Sequence, residues 1–150
     1  MTLNFPNLYS FNLINYDALY YPAIIGTMAI FIFISLVLIR HKEGLSNANI
    51  IYLGIWCFWT SVMFLPAMHD RFNYPVLVLL TAFYIVHDVK KIWIAVALNL
   101  MTTIIYGNFL FDAQGTIDMI WLAIIHMSIY VYVTYDLYRN FKETKSLSVM

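Results

Sequence analysis

Charged side chains are scarce in this sequence. They make up 11% of its 150 residues, whereas soluble domains carry about 25%. Lys and Arg form no long run and the formal net charge is zero, so nothing indicates nucleic acid as a partner. Hydrophobic residues account for 63% of the chain and the mean hydropathy is +0.77. This composition predicts an integral membrane protein whose surroundings are the lipid bilayer.

Cysteine is almost absent. The single Cys57 lies inside an apolar run, which excludes an internal disulfide framework and a cysteine-based metal site. Other metal ligands on the same side of the membrane would have to come from Asp17, His69, Asp112 and Asp118. No spacing among these four is typical of a metal site, so we predict neither a metal nor another cofactor.

Apolar runs separated by polar turns predict an all-α fold, a single transmembrane bundle of about five spans over residues 1–150. The runs cover residues 22–39, 48–68, 72–86, 92–111 and 117–135. The third run would rise only about 22 Å, against a hydrocarbon core of about 30 Å. We therefore expect the third helix to be the shortest and to begin at or just before Pro75. Small residues are expected to let the helices approach closely, namely Gly26, Ala29, Gly54, Ala82, Ala95 and Ala97.

The basic residues predict the orientation of the bundle. Seven of the eight Lys and Arg fall on one side of the predicted spans, and Arg71 falls alone on the other. The seven are Arg40, Lys42, Lys90, Lys91, Arg139, Lys142 and Lys145. By the positive-inside rule, residues 1–21 are extracytoplasmic, the helices occupy 22–138, and residues 139–150 form a cytoplasmic tail. Residues 1–21 do not resemble a signal peptide, and such a start is expected of a piece or subunit of a larger assembly.

The candidate site is a polar turn, defined here as residues 66–75, between the second and third runs. It contains three consecutive ionisable residues, His69, Asp70 and Arg71, and Pro66 and Pro75 bracket it. Ionisable groups close to hydrocarbon are costly and therefore indicate function. Proline suits the first turn of a helix, so a helix starting near Pro75 would direct its positive end toward Arg71. Together these features favour an anion site.

Two segments resemble a known family. Residues 64–77, Phe-Leu-Pro-Ala-Met-His-Asp-Arg-Phe-Asn-Tyr-Pro-Val-Leu, are similar to a Met-His-Glu-Arg-Tyr-x-x-Pro-x-Leu segment near the C-terminal end of bacterial polytopic GT-C glycosyltransferases. Residues 4–9, Asn-Phe-Pro-Asn-Leu-Tyr, resemble a loop that precedes the last helices in the same proteins. Asp70 stands where the family has Glu, and Phe72 stands where it has Tyr.

The resemblance implies a location in the bacterial plasma membrane and a function. Such enzymes take sugars from polyprenyl-phosphate carriers on the extracytoplasmic face. The chain would be their C-terminal membrane portion, contributing to binding of the polyprenyl-phosphate-linked sugar. The family's catalytic carboxylate lies in a first extracytoplasmic loop that has no counterpart here. The resemblance therefore implies no catalytic residue in this chain, which would be either a truncated reading frame or a split subunit whose partner chain supplies the N-terminal catalytic half.

The chemistry of the polar turn suits a phosphate head group. Arg71 can form a bidentate pair with it, and His69 can donate a hydrogen bond or a proton to the departing phosphate. Asp70 and Tyr74 are assigned supporting positions, with Asp70 better placed to hold Arg71 or an acceptor hydroxyl. The alternative is an ordinary surface turn without a ligand.

Two other functional classes stay open. A non-catalytic accessory or assembly subunit explains the small size and the missing acid equally well. A small channel or transporter would need a polar path through the bilayer, for which the candidates are few: Thr60, Asn99, Thr102, Thr103 and His126. His126 lies in the middle of the fifth run. There we expect a neutral side chain that is hydrogen-bonded across the bundle, to Asn99 or Thr102.

Overall fold

A computed structural model describes residue 9 and residues 16–40, 46–66, 70–111 and 118–148 of the chain. This part is all-helical, which confirms the predicted fold class. It contains five α-helices, α1 Tyr16–Arg40, α2 Asn47–Phe64, α3 Tyr74–His87, α4 Ile92–Leu110 and α5 Met119–Ser148. Two short 3-10 helices, Asp70–Asn73 and Val89–Lys91, lead directly into α3 and α4.

Two helices are longer than predicted. Helix α1 begins at Tyr16 rather than near residue 22, and Pro22 lies inside it. Helix α5 continues to Ser148, so the backbone of the predicted tail from residue 139 onward is helical as far as Ser148. The tail is rich in Lys, Glu and Arg, which are good helix formers, so loss of hydropathy did not end the helix. Helix α3, at 14 residues, is the shortest of the five and begins next to Pro75, as predicted.

Three helices in the described part are long and apolar enough to cross a membrane: Tyr20–Arg40, Val89–Asn108 and Met119–Lys142. The prediction of about five spans exceeds this number by two, α2 and α3. The 14 residues of α3 rise only about 21 Å. Helix α2 has 18 residues and carries Asn47, Asn49 and Thr60 among its apolar side chains.

Helix α2 lies at the centre of the bundle. It packs against α1, α3 and α5, and α4 packs against α3 and α5. Trp59, Leu80, Leu98 and Val133 come from four helices and are fully buried in one hydrophobic core. Helix α1 is peripheral, because most of its apolar side chains, such as Phe33, are exposed. In a bilayer, a helix that is apolar all round faces lipid or another helix.

Close approach between helices does not depend on glycine. No heavy atom lies within 4 Å of the position that a Cβ would take at Gly26 or Gly54. Both glycines, like Ala29 and Ala82, lie on exposed surface, which contradicts the packing role predicted for them. Ala95 is the small residue of that set that is buried in the core.

The bundle has two chemically different ends. One, which we call the turn end, holds the 3-10 helix Asp70–Asn73, and the rings of Tyr74 and Tyr106 meet there at a centroid distance of 5.7 Å. The other, the basic end, holds the 3-10 helix Val89–Lys91, and Lys91 there contacts Asp136 of α5. Arg71 lies at the turn end, and Lys90, Lys91 and Arg139 lie at the basic end.

Candidate functional site

Arg71 and the start of α3 lie together, as the sequence predicted. Arg71 belongs to the 3-10 helix that runs without interruption into α3, and its side chain is exposed. Pro75 occupies the first turn of α3, where no backbone partner is lost. Tyr74 is partly exposed beside them. The positive end of α3 and a guanidinium group therefore occupy the same end of the bundle.

Asn73 is a member of this site that sequence reasoning missed. It occupies the N-cap position of α3 but makes no side-chain capping hydrogen bond. Its side chain is 1% exposed, and its Oδ1 atom has no hydrogen-bond partner within the described part of the chain. A buried acceptor left unpaired costs about 1 to 3 kcal/mol. An asparagine next to the first residue of a proline-started helix was the available signal, since asparagine is a favoured N-cap.

His69 lies outside the described residues, and so does the side chain of Asp70. The backbone of Asp70 begins the 3-10 helix. The roles predicted for these two residues therefore stay predictions.

Tyr9 contacts the end of α2 at the turn end. The hydroxyl of Tyr9, the last residue of the 4–9 segment, donates a hydrogen bond to the carbonyl oxygen of Phe64, the first residue of the 64–77 segment. Tyr9 is buried, and burial raises the pKa of its phenol, so the hydroxyl stays a donor at neutral pH. Pro66 is buried as well. The hydrogen bond holds Tyr9 against the C-terminal end of α2.

A second polar cluster lies at the basic end. Lys91 Nζ is 2.8 Å from Asp136 Oδ1 and 3.0 Å from Asp88 Oδ2. Tyr52 donates to Asp136 Oδ2 at 3.1 Å, and the Tyr52 and Tyr84 hydroxyls are 2.9 Å apart. The chain of contacts ties together α2, α3, α5 and the turn before α4. Asp88 and Lys91 form their ion pair within the turn that leads into α4.

Asp136 was missed because it directly follows the last residue of the fifth run, Tyr135. It lies between the buried residues Val133 and Leu137 on α5 and is itself buried. An ionisable residue flanked by core positions was the signal, because such residues inside a membrane bundle usually have a partner.

A row of hydrogen bonds joins α2 to α5 along the middle of the bundle. Trp59 Nε1 donates to His126 Nε2 at 3.0 Å, and Trp56 Nε1 donates to Thr134 Oγ1 at 2.7 Å. The hydroxyls of Thr60 and Tyr130 are 2.8 Å apart. His126 is thus bonded across the bundle as expected, but Trp59 is the partner rather than Asn99 or Thr102.

The polar residues considered for a channel are bonded to their neighbours. Asn99 donates to the carbonyl of Ala95 at 2.7 Å, and Thr102 donates to that of Leu98 at 3.0 Å. Thr103 donates to the carbonyl of Asn99 at 2.9 Å. These bonds lie within α4 itself, so the three side chains do not line up as a row of free polar groups.

The described side chains include no group of three His, Cys, Asp or Glu residues that could hold a metal ion. Comparison of the chain with protein-family models, with curated proteins and with solved structures finds no match to any of them.

Proposed function

We propose that the polar turn binds the phosphate head group of a polyprenyl-phosphate-linked sugar, and that the chain is the C-terminal membrane portion of an extracytoplasmic-face glycosyltransferase. The observation that carries the proposal is the exposed Arg71 in the 3-10 helix that leads into α3, at the positive end of α3.

The chemistry follows from the groups at the turn end. The guanidinium of Arg71 is always charged and can bind two phosphate oxygens at once. The N-terminal end of α3 adds positive potential beside it. In this proposal His69 donates to the departing phosphate and Asp70 holds Arg71, while Tyr74 flanks them. The catalytic carboxylate comes from a partner chain.

Replacing Arg71 tests the proposal. A charge-assisted hydrogen bond contributes about 1.5 to 3 kcal/mol, so Arg71→Ala should weaken binding of a polyprenyl-phosphate analogue roughly ten- to a hundredfold. Arg71→Lys should weaken binding of the analogue less, because the positive charge stays but the bidentate geometry of the guanidinium is lost. Titration of the analogue into the protein in nanodiscs measures both. Arg40→Ala, which removes an exposed arginine at the end of α1, is the matched control. Equal affinity of wild type and Arg71→Ala would make the polar turn an ordinary loop.

The proposal requires the turn end to be extracytoplasmic. In a Cys57→Ser background, Phe72→Cys should react with an impermeant maleimide in intact cells, because Phe72 is 44% exposed. Asn47→Cys, at the exposed start of α2, should react only after the membrane is permeabilised. The opposite pattern would reverse the orientation and remove the polyprenyl-phosphate site from the extracytoplasmic face.

A second candidate function is a non-catalytic assembly subunit. The observation that favours it is the exposed apolar surface of α1, which includes Ile25, Phe33 and Leu36. A partner helix could pack on this surface through van der Waals contact. The two candidate functions are compatible if that helix belongs to the chain that supplies the catalytic half.

A further inference from the structure

Helices α4 and α5 lie side by side at the basic end, and we call the line along which they meet the seam. Aromatic and basic side chains lie on its outer side. The rings of Trp93 on α4 and Tyr132 on α5 meet at a centroid distance of 5.8 Å. They are 52% and 42% exposed, so the pair packs across the seam and still faces outward. Lys90 precedes Trp93 by three residues, about one helical turn, and is exposed.

Helix α5 continues the same arrangement. Tyr132, Tyr135, Arg139 and Lys142 follow one another at intervals of three or four residues, which places them on one face of the helix. All four are exposed. Toward the middle of α5 most of the exposed residues are apolar, such as Ile124, Ile125 and Val131. The face therefore passes from apolar through aromatic to basic, the order expected where a helix leaves the hydrocarbon and reaches the head groups.

The charges at the seam are not balanced within the described part of the chain. Lys91 is paired with both Asp88 and Asp136. Neither Lys90 nor Lys142 forms an ion pair with any described residue. Lys90 lies one helical turn before Trp93 and Lys142 lies ten residues after Tyr132, so both ammonium groups lie at the basic end, and their natural counter-charge is a lipid phosphate.

We propose that the α4–α5 seam binds an anionic phospholipid. Lys90 and Lys142 bind its phosphate from the two sides of the seam, and Trp93 and Tyr132 contact its glycerol and upper acyl region. The site is at the opposite end of the bundle from the polar turn and does not depend on the function proposed there.

Quenching of Trp93 by brominated lipids tests the site. In a Trp121→Phe background, Trp93 is the one tryptophan with large lipid exposure, because Trp56 and Trp59 are buried. The protein is reconstituted in phosphatidylcholine with a small fraction of brominated phosphatidylglycerol, or of brominated phosphatidylcholine. The ratio of the two quenching constants gives the preference for the anionic lipid at Trp93.

We expect phosphatidylglycerol to be preferred, and Lys90→Gln and Lys142→Gln each to reduce that preference about fivefold, as is typical of one basic residue at an anionic surface. Arg40→Gln is the control. It removes a charge from α1, which packs along α2 rather than along the seam, and should leave the preference unchanged. Equal quenching of Trp93 by the two lipids in the protein that keeps Lys90 and Lys142 would overturn the proposal. An equal effect of Arg40→Gln would also overturn it, because attraction would then be general rather than local.

Discussion

Asp136→Ala is expected to lower the free energy of unfolding by about 3 kcal/mol, because it leaves the ammonium of Lys91 half-buried without its main partner. The substitution also removes the acceptor of the Tyr52 hydroxyl, which is buried between α2 and α5. Unfolding of the purified protein by increasing SDS, followed by circular dichroism, measures the change. Val131→Ala, on the exposed face of the same helix, is the control and should change stability by less than about 0.5 kcal/mol.

A double substitution separates the charge from the packing. Lys91→Met combined with Asp136→Leu removes both charges and replaces them with apolar groups of similar size. Replacing both members of a buried ion pair in this way is often neutral, so the double variant should be more stable than Asp136→Ala alone. If Asp136→Ala unfolds at the same SDS concentration as wild type, the cluster at the basic end does not hold the helices together.

Most of the predictions that the structure confirms rest on patterns within a few neighbouring residues of the sequence. Apolar runs gave the helices, and Pro75 gave the start of α3, because both signals lie within a few residues of the feature they predict. Arg71 was placed beside that start for the same reason. The ends of α1 and α5 were misjudged because hydropathy predicts where a helix meets lipid, whereas helix propensity and hydrogen bonding decide where it stops.

Contacts between distant helices could not be predicted. Tyr52 and Asp136 are 84 residues apart, and Trp59 and His126 are 67 residues apart. Several arrangements of five helices satisfy the same hydropathy pattern, and each would give His126 a different partner. A buried polar group requires a partner, but a single sequence does not say on which helix the partner lies.

The same reasoning explains what was missed at the polar turn. Its ionisable residues were predicted to be functional because charged groups close to hydrocarbon are costly. Asn73 is neutral, and its unpaired oxygen becomes visible only when its burial is known. The prediction therefore singled out Arg71 as the cation of a candidate site and missed the buried amide of Asn73 in the same turn.

Trp59→Ala is expected to destabilise the bundle by about 3 to 5 kcal/mol, the range observed when a buried tryptophan is truncated. Trp59 is 0% exposed, its indole donates to His126, and its ring meets the edge of Tyr130 at 5.5 Å. In a bilayer the loss comes mainly from the cavity and the broken hydrogen bond, because lipid solvates apolar groups as well as a protein core does. Unfolding in SDS again supplies the measurement.

Two further tryptophan variants show whether the loss of stability in Trp59→Ala comes from the cavity or from the broken hydrogen bond. Trp59→Phe keeps most of the ring but loses the N–H, and it should cost about 1 to 3 kcal/mol because it removes a donor from His126 Nε2. Trp121→Ala removes the same side chain from a position that is 64% exposed, so it should leave no cavity and change stability little. The order of stability should be Trp121→Ala, then Trp59→Phe, then Trp59→Ala. If Trp59→Ala were as stable as Trp121→Ala, the α2–α5 contact would not be the centre of the fold. Truncating a side chain at a central contact must lower the free energy of unfolding.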